Sequence, residues 1–200
     1  IMTGRYPHNN GARGFEPINS DVITLQEELN KVGYLNAIIG KERHLMPAEK
    51  YRWDYVATEG DVASGLGIGR SPDLFYQHTS NVISEAKKDG KPFFLMANSH
   101  DPHRPFAGSD EEKRAWGDDL PKFTREINPE DVDVPGFLFD LPEVRQEVAE
   151  YYTSVYRCDQ TVGAILKALD DSGLSDNTIV MFISDNGMSV PFAKSNLYLN

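Results

Sequence analysis

Phe93-Phe94-Leu95-Met96-Ala97 runs directly into Asn98-Ser99-His100-Asp101-Pro102-His103. Five apolar residues in a row, closed by a turn of Asn, Pro and His, read as a short strand buried on both faces. Just upstream, Ser71-Pro72 supplies a cap and a first-turn proline for a helix over residues 73–88. Its spacing sets Leu74, His78, Val82 and Ala86 near one stripe, and Asp89-Gly90 breaks it. The unit is helix, buried strand, polar turn.

The same order occurs on either side. Toward the N-terminus, Ser20 is placed to cap a helix over residues 22–32, in which Leu25, Leu29 and Val32 share a face. Gly33 ends it, and Ala37-Ile38-Ile39 is a short buried strand leading to Gly40-Lys41. Toward the C-terminus, Pro142 opens a helix to Leu169 that carries Val144, Val148, Val155, Val162, Ile165, Leu166 and Leu169. Asp171-Ser172-Gly173 interrupts it, and the β-branched run over residues 178–183 predicts a third strand, ending at Ser184-Asp185-Asn186-Gly187. Apolar strands alternating with helices predict an α/β fold: a mostly parallel sheet with helices on both faces. Ligands of such sheets bind beyond the carboxyl ends of the strands, where all three polar turns fall. Residues 47–69 and 101–140, rich in Gly, aromatics, Pro and charge, read as long loops around that edge.

The net charge of −11, from 31 acidic and 20 basic residues, leaves no basic surface for nucleic acid. It does not exclude an anionic small substrate, since a few cations in a pocket outweigh the global sign locally. No apolar run approaches the about 20 residues of a membrane helix. The single cysteine, Cys158, rules out an internal disulfide framework and reads as a small buried hydrophobe within a helix.

Four of the five histidines (His8, His44, His100 and His103) stand in turns, while His78 lies on a helix stripe. Asp185-Asn186 at a strand end offers two hard oxygen ligands, which suit Ca²⁺ or Mg²⁺ rather than zinc. From this tetrapeptide alone, an Asx-type turn with Gly187 is the stronger reading. Lys41 and Lys194 could each hold an oxyanion, although a lone lysine is usually a solvated charge.

Together these segments resemble the sulfatases of the alkaline-phosphatase-like superfamily. Gly33-Tyr34 followed by Gly40-Lys41-Glu42-Arg43-His44 is similar to the second sulfatase signature, with Asn36 where Ser or Thr is usual. His100-Asp101-Pro102-His103 is similar to the family's His-x-Pro-His turn, and Ser184-Asp185-Asn186-Gly187 to its second metal-binding segment. Ile1-Met2-Thr3-Gly4-Arg5 resembles the tail of the first signature. The matches fall in family order along almost the whole chain. Further likeness is to heparan N-sulfatases: the His8-Asn9-Asn10-Gly11 turn, the extension to Arg104, Tyr51-Arg52-Trp53-Asp54-Tyr55 with Thr58-Glu59, and Lys194-Ser195-Asn196-Leu197-Tyr198.

The resemblance implies that residues 1–200 form the central part of a sulfatase catalytic domain, continuing at both ends. It implies a formylglycine nucleophile upstream of Ile1 and Ca²⁺ (Mg²⁺ less favoured) held by Asp185 and Asn186. Lys41 and Lys194 would hold sulfate oxygens, and His44 would hydrogen-bond or deprotonate the nucleophile's hydroxyl. His103, with His100 beside it, would protonate the leaving group, and Arg104 is a candidate for a sugar carboxylate. The implied substrate is a sulfated glycan, with the N-sulfate of glucosamine foremost. Alternatives are an O-sulfated sugar, a phosphonate or phosphodiester, or a silent glycan-binding relative. No nucleic-acid or membrane partner is expected, and export to the periplasm, the exterior or a lysosome is.

Overall fold

The structure is a computed structural model that describes residues 1–14, 16–63, 69–117, 123–191 and 193–194. Its centre is a three-stranded parallel sheet with strand order β2-β1-β3, made of β1 (Leu35–Ile39), β2 (Tyr55–Ala57) and β3 (Phe93–Ala97). Ala37 pairs with Tyr55 on one side of β1 and with Leu95 on the other.

β1 is buried at all five positions, which explains why its sequence is a continuous run rather than an alternation. Its residues point alternately to two covered faces. Leu35 and Ala37 pack on Val82 and Ala86 of α3 (Pro72–Asp89), and Ile39 packs with Phe75 of the same helix. On the opposite face Asn36 meets α2 (Leu25–Lys31): its Nδ2 donates to Asn30 Oδ1 at 3.0 Å and to the Gln26 carbonyl at 3.4 Å. The departure at Asn36 therefore has a structural use, fastening α2 to the sheet.

Local chemistry fixes the helix ends. Ser71 accepts from the Leu74 amide and Pro72 occupies the first turn of α3, as the sequence predicts. For α2 the cap is Thr24 rather than Ser20. Thr24 and Glu27 form a reciprocal capping box that satisfies two amide donors at once, and this wins over a lone serine. The chain also forms two short helices, α1 (Pro7–Asn10) and α4 (Asp110–Trp116), and the longest helix, α5 (Pro142–Asp171), packs against α3. Val155 and Leu166, predicted inside, are exposed, while Thr153, Ser154, Arg157 and Thr161 are buried. The inner stripe of α5 is thus partly polar, because it covers a group of buried charges described below.

Residues 178–183 do not join the sheet. The segment forms no strand, and residues 179–183 face solvent, Ile179 being 93% exposed. A β-branched run becomes a strand only where a neighbour offers a ladder of amides and carbonyls, and among the described residues none lies beside it.

The carboxyl end of the sheet is held shut by Asn98. Its amide donates to the Ile39 carbonyl at 2.8 Å, and its Nδ2 donates to the Gly40 carbonyl at 3.0 Å. Gly40 has φ +70°, and a Cβ there would sit 2.7 Å from the Asn98 carbonyl oxygen. Only glycine lets the ends of β1 and β3 come this close.

Candidate active site

Two turns leave the carboxyl end of the sheet side by side. After β1, Lys41 adopts a left-handed conformation, φ 54°, and starts the 3-10 turn Glu42–His44. A lysine in that region is strained, and such strain is retained where the surroundings fix it. The turn puts His44 at the surface, its amide donating to the Lys41 carbonyl. After β3, His100 begins the second turn, which closes when the His103 amide donates to the His100 carbonyl at 2.8 Å. The His100 amide is itself held by the Gly69 carbonyl at 3.0 Å.

His100 and His103 bring their rings to 5.0 Å between centroids. Burial first, and then the positive charges of Arg70, His103, Lys41 and His44, together pull the His100 pKa down to about 3. Those groups therefore share the neighbourhood of His100, which stays neutral at ordinary pH. His103 is exposed, and its Nδ1 lies 2.7 Å from the Arg104 carbonyl oxygen. A carbonyl only accepts, so Nδ1 carries the proton and Nε2 is left to exchange one.

The other candidate residues are placed less tightly. Asp185 and Asn186 lie in an exposed bend, where the Ser184 hydroxyl donates to the Asn186 carbonyl at 2.7 Å. The Lys194 amide donates to the Met188 carbonyl, a turn contact that leaves Lys194 exposed. This turn touches the histidine turn through Arg104, whose Nη2 donates to the Ser189 carbonyl at 3.4 Å. The Arg104 guanidinium also pairs with Glu147 and, at 3.7 Å, with Glu111, so it is already engaged by carboxylates of the protein. Residues 195–200, which carry part of the likeness to heparan N-sulfatases, lie outside the described residues.

Asp185 and Asn186 fit a hard divalent cation by donor type, supplying two of the 6–8 oxygens such an ion takes. Among the described residues, no group of three or more His, Cys, Asp or Glu side chains is arranged to hold a metal. Cys158 is half-buried, and burial pushes its thiol pKa up, as suits a packed residue rather than a nucleophile.

One feature was hidden in the sequence. Arg70, Asp101, Glu112 and Arg157 form a fully buried ion network directly behind the histidine turn. Its only trace in the sequence is an arginine on the inner stripe of a long helix.

A sulfatase family model matches residues 1–199. The chain belongs to the sulfatase family. It is 35% identical to human N-sulphoglucosamine sulphohydrolase over 214 aligned residues, covering 99% of this chain and 42% of that protein. It is 25% identical to an endo-4-O-sulfatase of Bacteroides thetaiotaomicron, covering 94% of this chain and 46% of that protein. The sulfatase chain thus spans less than half the length of either relative. Among solved structures it superposes on Ps i-CgsB in complex with k-i-k-neocarrahexaose, with a TM-score of 0.61 at 22% identity. That match covers 98% of this chain and 49% of the other, and it bears on the fold.

Proposed function

We propose that the protein to which this chain belongs hydrolyses sulfate from a sulfated glycan, at the N-sulfate of a glucosamine residue. The observation that carries this reading is the 35% identity, across 99% of the chain, to human N-sulphoglucosamine sulphohydrolase. The grouping of Lys41, His44, His100 and His103 at one end of the sheet supports it chemically.

In this reading Lys41 places an ammonium against the sulfate oxygens, with Lys194 as a second cation, and offsets the charge that grows there. His44 bonds the hydroxyl of the nucleophile, which the family resemblance implies to be a formylglycine upstream of Ile1. His103 has its Nδ1–H tied to the Arg104 carbonyl, so the imidazolium form can hand its Nε2 proton to the departing amine as the S–N bond breaks and be left as the neutral Nδ1–H ring. His100, neutral at ordinary pH, adds no charge and limits its part to packing or hydrogen bonding beside His103. Asp185 and Asn186 would hold Ca²⁺, which supplies Lewis-acid stabilisation of the sulfate and nucleophile oxygens when bound. A substrate carboxylate would reach Arg104 only by displacing Glu147.

The second reading is an O-sulfated sugar substrate, favoured by the likeness to an endo-4-O-sulfatase across 94% of the chain. Release of sulfate by the full-length enzyme from N-sulfoglucosamine, compared with 6-O- and 2-O-sulfated monosaccharides, separates the two.

A further inference from the structure

Arg70 and Arg157 head the fully buried side chains of the described residues. Both converge on one carboxylate inside the histidine turn. Arg70 Nε donates to Asp101 Oδ1 at 2.9 Å. Arg157 grips the same carboxylate with two bonds, Nε to Oδ2 at 2.6 Å and Nη2 to Oδ1 at 2.9 Å. Arg157 Nη2 also reaches Glu112 Oε1 at 2.8 Å, and Glu112 Oε2 accepts from the Gly108 amide at 2.8 Å. Arg70 Nη2 then donates to the backbone carbonyls of His103, at 3.1 Å, and Pro105, at 3.4 Å.

Two guanidinium groups and two carboxylates cancel in charge, so the network can stay ionised in the interior. Buried networks of this kind add little net stability over well-packed apolar residues of the same volume. What a guanidinium fork does supply is direction, because its planar donors fix the groups they bind. Here the groups fixed are the Asp101 carboxylate, two residues before His103, and the backbone carbonyls of His103 and Pro105. The His103 ring is exposed, and its Nδ1 bonds the adjacent Arg104 carbonyl, the one side-chain hydrogen bond it makes among the described residues. Its position is therefore set by the backbone that Arg70 holds.

We propose that Arg70 and Arg157, acting through Asp101, are positioning residues that aim His103 at the leaving group. This rests on the role given to His103 above. A displacement of about 1 Å at a catalytic group costs on the order of 100-fold in rate. The cost should fall on proton transfer to the leaving group and spare binding of the sulfate, which belongs to the lysines.

The test uses full-length enzyme and two substrates that differ in their need for a proton. N-sulfoglucosamine, or glucosamine 6-sulfate if the enzyme prefers an O-sulfate, has a poor leaving group. 4-Nitrophenyl sulfate releases a stable phenolate that needs none. Arg70→Lys and Arg157→Lys keep the charge and lose the fork. Each should lower kcat on the sugar by about 10- to 100-fold, leave its KM within about twofold, and cost less than about threefold on the aryl sulfate. His103→Ala should show the same split. Asp101→Asn, which keeps the shape and removes the shared charge, is the second variant and should show it too. An equal loss on both substrates, or none on either, in the arginine and Asp101 variants overturns the positioning role. If His103→Ala itself shows no split, it is the role of His103 that fails. Splitting by His103→Ala alone leaves that role standing and sinks the clamp.

Discussion

The imidazole rings of His100 and His103 lie 5.0 Å apart and tilted by 57°, with His100 half-buried and His103 exposed. Neighbouring histidines in different surroundings serve different ends: one stays neutral, and the other is accessible to substrate and solvent.

The pH dependence of folding follows from His100. Its folded pKa is depressed to about 3 by burial and nearby cations, well below the unfolded value. Between the two values the unfolded chain binds a proton that the folded chain does not. The stability tied to neutral His100 is therefore present above the unfolded pKa and is lost as pH falls toward 3. Denaturant titrations from pH 7 to pH 4 should show a falling midpoint, and His100→Gln should flatten that slope. An unchanged slope in His100→Gln would place the ring in water.

Gly40 can be tested by adding one carbon. In Gly40→Ala the new Cβ would meet the Asn98 carbonyl at 2.7 Å, on a backbone with φ +70°. A loss of about 1–3 kcal/mol in stability is expected, together with a fall in turnover as Lys41 shifts. Chemical denaturation with a parallel activity assay reads both, and wild-type values in Gly40→Ala would remove the close approach from the account.

Asp185 stands in an exposed bend, so its loss should leave folding alone. In full-length enzyme Asp185→Ala should weaken Ca²⁺ binding, read by calorimetry, with a melting curve of the calcium-free protein within about a degree of wild type. Undiminished calcium affinity would show that Asp185 is only a turn residue.

The apolar residues 179–183 make a separate point. Ile179, Val180, Met181, Phe182 and Ile183 are all exposed, an apolar run of the kind that pairs with other chains. The isolated chain of 200 residues should bind a hydrophobic dye and self-associate, and Phe182→Lys should reduce both. Monomeric behaviour without dye binding would mean that the run is covered.

The parallel sheet was legible because β1 is buried and β3 half-buried at all five positions, and strands covered on both faces leave uninterrupted apolar runs. The Ser71-Pro72 start of α3 was legible because capping is local chemistry. The start of α2 was not, since Ser20 and Thr24 both suit a cap and only the reciprocal bond with Glu27 separates them. The run over 178–183 has strand propensity, but propensity cannot supply a ladder partner. Lys41, His44, His100 and His103 were legible as residues of the turns that leave β1 and β3. The clamp could not, because Arg70, Asp101, Glu112 and Arg157 meet only after folding.

The central claim is best tested by measuring sulfate release from N-sulfoglucosamine, glucosamine 6-sulfate and a 2-O-sulfated uronic acid with the full-length enzyme. The account predicts turnover of N-sulfoglucosamine, with kcat/KM at least about tenfold above either O-sulfate. Turnover confined to an O-sulfate would contradict the N-sulfate assignment, and no sulfate release from any of the three would contradict the proposed reaction itself.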